Sequence, residues 1–290
     1  STIFNPAIIN FDSLQVGYYT LQVSDSQCTS PLDSVWMGLQ NFSAYALSSN
    51  SPVCSGNALN IFCNNNPNAT FTWSGPNNFN GNTFNVTIAN AQTINSGTYT
   101  LIVTENGCQS DSINIAYIVK QTPLPPSIIG DTVYCEGENI LLSTPALNNQ
   151  TYNWLTPVGN TFSDTLLNVS NCSANNGGTY TLTVFQDGCS SFNNVHVEII
   201  TLPKLLLPKA ISGCVGDSLN VFTPLENNTS YIWHFQNLAI GTNNYFVIDS
   251  AILAQNGLYQ IAANHLGCLA NDSIDIVINT YPDFDLGNDV

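Results

Sequence analysis

The chain has 290 residues, only 8% of them charged, and a net charge of -16 at pH 7. Three basic residues face nineteen acids, which leaves almost no positive surface for phosphates or anionic lipid headgroups. No apolar run reaches the length of a membrane-spanning helix. The composition therefore excludes nucleic-acid partners and direct membrane insertion from the expected functions.

Four landmarks repeat along the chain in one register. Three cysteine pairs each span 54 residues, a tryptophan follows the first cysteine by 19, and a tyrosine precedes the second by nine. The pairs are Cys54 and Cys108, Cys135 and Cys189, and Cys214 and Cys268; the aromatic residues are Trp73, Trp154 and Trp233, then Tyr99, Tyr180 and Tyr259. A fixed period of this kind predicts a tandem array of one small module.

The repeat predicts three complete modules, at residues 44–121, 122–202 and 203–281. Residues 1–43 match the second half of a module, with Tyr19 again nine residues before Cys28. Residues 282–290 resemble the start of a further module, because 286–290 resembles 129–133. We expect the full protein to be longer than this chain.

Within each module the apolar residues alternate, as strands require, and no stretch has helical spacing. The first complete module has five predicted strands, and the other two modules repeat their order. In chain order these strands are marked by Leu59/Ile61, Phe71/Trp73, Val86/Ile88, Gly97-Thr98-Tyr99 and Ile113/Ile115/Tyr117. Asn106-Gly107 and Asp187-Gly188 are strong two-residue hairpin signals between the fourth and fifth strands. Short alternating strands with frequent turns predict an all-β fold of β-sandwich modules.

The tryptophan in a middle strand and the tyrosine after a corner resemble the immunoglobulin-like fold. The signature Cys-x-Gly before a strand (Cys54, Cys135, Cys214) and Gly-Cys after one (Cys108, Cys189, Cys268) resembles immunoglobulin-like repeats of secreted Bacteroidota surface proteins. This resemblance implies tandem immunoglobulin-like β-sandwich modules in an extracellular protein of the bacterial cell surface. It is weak as to function, because such modules occur in adhesins, gliding-associated proteins and enzyme appendages.

The six repeated cysteines indicate a disulfide framework and therefore an exported protein. Disulfide pairing within modules is favoured. It requires the first cysteine to lie in an irregular segment at the start of the module, a lead-in, that returns toward the last hairpin. The alternative joins neighbouring modules, for instance Cys54 to Cys189 and Cys135 to Cys268. Cys63 and Cys172 fall outside the framework, and we expect both to be buried free thiols.

Eight places read Asp, then Ser or Thr, then an apolar residue, and this triplet resembles the O-glycosylation acceptor of exported Bacteroidota proteins. The alternative is that the aspartate caps a turn before a strand. The candidate acceptors are Ser13, Ser34, Ser112, Thr132, Thr165, Ser218, Ser250 and Ser273.

Nothing in the sequence indicates an enzyme, a cofactor or a catalytic metal. The histidines His196, His234 and His265 share no spacing, and no nucleophile, phosphate-binding or zinc motif occurs. A calcium ion at a cluster of Asp283, Asp285 and Asp289 is a minor alternative to a solvated acidic linker.

These features favour a structural stalk or filament segment of a bacterial cell-surface protein, in adhesion or gliding motility. Its expected partners are neighbouring modules of the same longer chain, with a glycan or surface ligand as a further candidate. One rival is a carbohydrate- or protein-binding module that uses loop aromatics such as Phe79. The other is a non-catalytic appendage of a secreted enzyme.

Overall fold

The computed structural model describes residues 7–39 and 43–282. The chain divides into two compact units, Ser1–Thr122 and Pro123–Val290. The first unit holds the half-module and the first complete module, and the second unit holds the second and third complete modules.

Over residues 7–39, the half-module is an antiparallel hairpin preceded by one short helical turn. A 3-10 turn at Ser13–Gln15 leads into strand β1 (Gly17–Leu21), which pairs with β2 (Asp33–Met37). The Asp12 carboxylate at the start of the turn accepts a hydrogen bond from the Leu14 amide at 2.9 Å, which caps the turn.

The first complete module folds into two facing layers of short strands. Its larger sheet runs β10-β9-β6-β7 with β11 also on β9, its smaller sheet runs β3-β5-β8, and β4 pairs in parallel with β12. The strands are β3 (Leu47–Ser49), β4 (Val53–Cys54), β5 (Leu59–Cys63), β6 (Ala69–Gly75), β7 (Phe79–Gly81), β8 (Val86–Ile88), β9 (Gly97–Glu105), β10 (Cys108–Gln109), β11 (Ile113–Tyr117) and β12 (Val119–Lys120), with a 3-10 turn at Thr93–Asn95.

The second and third modules repeat this plan with longer final strands. Their larger sheets run β13-β19-β18-β15-β16 and β20-β26-β25-β22-β23, and β14-β17 and β21-β24 face them. The second module has β13 (Val133–Cys135), β14 (Ile140–Ser143), β15 (Thr151–Leu155), β16 (Thr161–Phe162), β17 (Leu166–Val169), a 3-10 turn at Ala174–Asn176, β18 (Gly178–Gln186) and β19 (Cys189–Ile200). The third has β20 (Ala210–Cys214), β21 (Leu219–Phe222), β22 (Thr229–Phe235), β23 (Leu238–Gly241), β24 (Tyr245–Ile248), a 3-10 turn at Leu253–Gln255, β25 (Gly257–His265) and β26 (Cys268–Asn279). The all-β prediction is confirmed.

Each complete module has its own core, with the repeated tryptophan at its centre. Trp73, Trp154 and Trp233 are fully buried. Each indole N–H donates to a backbone carbonyl ten residues later, at Thr83 (2.9 Å), Asp164 (3.1 Å) and Asn243 (3.0 Å). Each of the three buried indole N–H groups therefore has a hydrogen-bond acceptor. Burying the tryptophan leaves no polar group without a partner, which would cost free energy.

The repeated tyrosine fastens the turn before its strand. The hydroxyls of Tyr99, Tyr180 and Tyr259 donate to the carbonyl four residues earlier, at 2.8, 2.8 and 3.1 Å. This is the tyrosine corner that the immunoglobulin-like resemblance implies.

The lead-in to each complete module is a regular parallel strand. In the second module β13 pairs with the end of β19, and in the third β20 pairs with the end of β26. The expectation of an irregular lead-in is wrong, because these backbone groups find parallel partners along the last strand of their own module.

Candidate functional site

The first element of the candidate site is the turn at each Cys-x-Gly motif, and we call Cys54, Cys135 and Cys214 the turn cysteines. In the second module the Glu138 amide donates to the Cys135 carbonyl at 3.0 Å, and the Glu138 carboxylate accepts from the Cys135 amide at 2.7 Å. Gly137 adopts φ +92°, a left-handed backbone conformation that only glycine adopts without strain. The motif thus encodes a tight turn that fixes the cysteine.

The second element is the hairpin at each Gly-Cys motif, and we call Cys108, Cys189 and Cys268 the hairpin cysteines. Cys189 pairs with Gln186 and Cys268 with His265, so each hairpin has a two-residue loop. Both loop residues have positive φ, +52° and +85° at Asp187 and Gly188, as a type I′ turn requires. The predicted hairpins at Asn106-Gly107 and Asp187-Gly188 are confirmed.

Turn and hairpin cysteines of one module lie at opposite ends of it. Cys135 pairs with Ile200 at the end of β19, whereas Cys189 begins that twelve-residue strand. At about 3.3 Å per residue the two ends are roughly 36 Å apart. A disulfide needs Cα atoms within about 7 Å, so pairing within the module is impossible without unfolding it.

The disulfide in the structure accordingly links two modules instead of forming within one. Cys135 bonds to Cys268 across the boundary between the second and third modules, with a Cα–Cα distance of 5.5 Å. The favoured pairing of Cys135 with Cys189 and of Cys214 with Cys268 is therefore wrong, and the alternative bond between Cys135 and Cys268 is confirmed. The parallel pairing of β13 with β19 is the physical reason, because it carries the turn cysteine away from its own hairpin.

The other repeated cysteines divide into two groups. Cys54 and Cys189 are also disulfide-bonded. Cys108 and Cys214 are free thiols, contrary to the expectation that all six form disulfides. Since Cys108 is free, pairing of Cys54 with Cys108 is wrong as well.

The Cys135–Cys268 bond lies in parallel with the segment 201–209, which connects β19 to β20. This connection is itself held down, because the Leu206 amide donates to the Thr223 hydroxyl at 3.2 Å. The Asp275 amide donates to the Lys209 carbonyl at 3.0 Å. The junction between the second and third modules is thus a covalent double connection with a hydrogen-bonded linker.

Cys63 and Cys172 are buried free thiols, as predicted. Burial raises the pKa of both thiols, which suppresses the reactive thiolate. The Cys172 thiol donates to the carbonyl of Cys135 at 3.3 Å. Its role is to pack beneath the turn that holds the disulfide.

The eight candidate glycosylation residues are mostly accessible. Thr165 and Ser273 are half-buried, and the others are exposed: Ser13, Ser34, Ser112, Thr132, Ser218 and Ser250. The aspartate before Ser34, Thr165 and Ser273 accepts a hydrogen bond from the following amide. These contacts suit the turn-capping alternative, and glycosylation remains a prediction.

The remaining candidates that lie within residues 7–39 and 43–282 do not come together in a chemical site. Among the described residues, no group of three His, Cys, Asp or Glu side chains could hold a metal. Asp283, Asp285 and Asp289 lie outside the described residues. Phe79 packs edge-on against Tyr99 at a centroid distance of 5.4 Å, so its ring belongs to the module core rather than to an open binding face. Over residues 7–39 and 43–282, no helix is long and apolar enough to span a membrane.

The sequence matches no model of a known protein family and no curated protein. Its fold is similar to the three N-terminal domains of the bacteriophage RB49 Highly Immunogenic Outer Capsid protein (Hoc), at 14% identity over 81% of this chain and 100% of that one, with a TM-score of 0.39. An I-band fragment of titin matches at 13% identity over 82% and 100%, with a TM-score of 0.45. Extracellular domains 3–5 of Drosophila OTK match at 11% identity over 79% and 93%, with a TM-score of 0.39. These likenesses concern the fold alone, which is a tandem array of immunoglobulin-like β-sandwiches.

Proposed function

We propose that the chain is a segment of an extracellular stalk or filament on a bacterial surface protein. In this role, disulfide-linked modules hold an adhesive or motility-related element away from the cell. One observation carries the proposal: the Cys135–Cys268 bond crosses a module junction instead of stapling a single module. Disulfides of this kind are typical of exported proteins, and the Cys-x-Gly and Gly-Cys resemblance supports a Bacteroidota surface protein.

A junction disulfide changes what happens when the chain is pulled. Cys135 lies near the start of the second module and Cys268 near the end of the third, 133 residues later. Once the modules unfold with the bond intact, load passes through the bond from Cys135 to Cys268, and the residues between them form a closed loop that carries no tension. Unfolding of either module then lengthens the chain only by its short outer segment. The crosslink therefore limits extension while leaving each module able to unfold and refold.

Single-molecule pulling tests this directly on the full chain. Handles are attached through non-cysteine chemistry at Leu124 and Tyr281, which are both exposed and lie near the first residue of the second module and the last residue of the third. Reduction of the disulfide, or Cys135→Ser, is expected to release 133 additional residues. At 3.3–3.6 Å per residue, the fully unfolded length increases by roughly 440–480 Å.

Cys172→Ser is the matched control, because Cys172 is a free thiol in the same pair of modules. This variant is expected to keep the short extension of the oxidised chain. If the oxidised chain already extends to the length of the reduced chain, the disulfide bears no load and the mechanical proposal fails.

The cellular part of the proposal needs a separate test. Antibodies raised against the folded chain should label intact, unpermeabilised cells, and deletion of the gene should reduce surface attachment or gliding. Labelling that appears only after the cells are opened would contradict the extracellular location.

Glycans on the eight Asp-Ser/Thr-apolar triplets belong to the same proposal. Six of the eight hydroxyl residues are exposed, and carbohydrate there would hydrate a chain with few charges and cover strand edges. Mass spectrometry of the protein purified from its native cells should find hexose-bearing peptides at these positions. Unmodified peptides at all eight would remove this part of the proposal.

A further inference from the structure

The free thiol of Cys214 sits in the same turn as the bonded Cys135. The Asp217 amide donates to the Cys214 carbonyl at 3.0 Å, and the Asp217 carboxylate accepts from the Cys214 amide at 2.7 Å. Gly216 adopts φ +89°, beside +92° for Gly137. Cys214 is therefore held in the geometry that its counterpart uses to form a disulfide.

The free thiol of Cys108 repeats the geometry of the bonded hairpin cysteines. Cys108 pairs with Glu105 across a two-residue loop in which Asn106 and Gly107 have φ of +49° and +83°. The bonded Cys268 follows a loop with φ of +50° and +97°. Cys268 is buried, whereas Cys108 is exposed.

Neither free thiol can reach the other repeated cysteine of its own module. Cys214 pairs with Asn279 at the end of β26, while Cys268 begins this twelve-residue strand and already bonds to Cys135. Cys54 pairs with Lys120 at the end of the last strand of its module and is already disulfide-bonded. Each free cysteine needs a partner from another copy of the module.

We propose that the Cys135–Cys268 bond is one rung of a continuous disulfide ladder. In this ladder, Cys214 bonds to the hairpin cysteine of a following module in the same chain. Cys108 bonds to the turn cysteine of a preceding module. Each of these bonds attaches a module to its neighbour by a disulfide as well as by the main chain. This inference depends on the repeat and the observed bond, not on the stalk function, and it stands even if the pulling experiment fails.

Each rung forms by ordinary thiol–disulfide exchange. One cysteine thiolate attacks a small-molecule disulfide such as oxidised glutathione and releases one glutathione thiolate. The second cysteine thiolate then attacks the mixed disulfide and releases the other. Two cysteine thiols lose two protons and two electrons in total, and the glutathione disulfide is reduced to two thiols.

The test extends the chain by one module. Residues 203–281 are appended directly after position 281, with the copied Cys214 changed to Ser so that a single new partner is present. This places the copied Cys268 as far from Cys214 along the chain as Cys268 lies from Cys135. After oxidation, free thiols are alkylated without reduction and the peptides are mapped by mass spectrometry.

Cys214 is expected to be alkylated in the original chain and protected in the extended one, with a loss of labelling of about tenfold or more. A peptide joining Cys214 to the copied Cys268 should appear at the same time. Changing the copied Cys268 to Ser is the matched control and should restore labelling of Cys214. Cys108 remains labelled throughout, and the buried Cys172 remains unlabelled.

A second extension with residues 122–202, which carry the hairpin cysteine Cys189, repeats the test with a different core. Limited proteolysis shows whether each added module has folded. If one has not, the chain with the other added module decides the result. Continued labelling of Cys214 in a chain with a folded extension overturns the proposal. So does a disulfide between Cys214 of one molecule and Cys108 of another.

Discussion

The half-module at residues 7–39 and the complete module that follows it share local structure but not burial. The Tyr19 hydroxyl donates to the Gln15 carbonyl at 2.7 Å, as the Tyr99 hydroxyl does to the Asn95 carbonyl at 2.8 Å. Leu21 and Leu101 follow these tyrosines by two residues, yet Leu21 is 63% exposed and Leu101 is 0% exposed. The tyrosine corner therefore forms from local sequence, whereas the core requires the opposing strands that the half-module lacks.

The largest expected effect comes from truncating the two equivalent leucines. Leu101→Ala should destabilise the first complete module by about 2–5 kcal/mol, because it leaves a cavity in a closed core. Leu21→Ala should change stability by less than about 0.5 kcal/mol, because that side chain already contacts water. Peptide-resolved hydrogen exchange on the full chain measures both. Equal losses of protection at the two sites would show that the half-module has a core of its own.

Removal of the tyrosine hydroxyl should have a smaller effect. Tyr180→Phe deletes the hydrogen bond to Asn176 inside the second module, at a cost of about 1 kcal/mol in the free energy of unfolding. Tyr19→Phe in the half-module serves as the comparison, since water can replace the lost donor there. Urea unfolding at pH 7 measures the difference, and a neutral result for Tyr180→Phe would mean that the corner does not stabilise the module.

The last expected effect appears only at alkaline pH. Burial raises the pKa of the Tyr99, Tyr180 and Tyr259 hydroxyls above their usual value of about 10. The unfolded chain then loses these protons first, so the unfolded state binds fewer protons and stability falls as pH rises. The contribution of the buried neutral tyrosines is complete below about pH 10 and disappears as pH passes through the folded-state pKa.

Urea midpoints measured from pH 7 to strongly alkaline pH report this loss. Tyr180→Phe should flatten the profile of the second module, because phenylalanine cannot ionise. Tyr281→Phe is the control, since that ring is exposed and its replacement should leave the profile unchanged. Identical profiles for all three proteins would contradict the role assigned to burial.

Much of the candidate site was predictable from sequence, but its connectivity was not. The Cys-x-Gly and Gly-Cys motifs identify which residues build the turns, and buried free thiols are expected at Cys63 and Cys172 because both fall outside the repeated framework. The bonding partner of Cys135 does not follow from these patterns. Pairing within modules is the prediction from sequence, but the 54-residue spacing does not show which end of a sheet each cysteine reaches.

The sequence by itself determined the period, the strands, the aromatic core and the turns, because alternation, glycine backbone freedom and tyrosine corners act over a few neighbouring residues. Only the tertiary structure decided where the cysteines lie relative to one another. Parallel pairing of β13 with the far end of β19 joins residues more than sixty positions apart, and no local pattern sets that register. That single pairing moves Cys135 to the module boundary and makes its disulfide a link between modules.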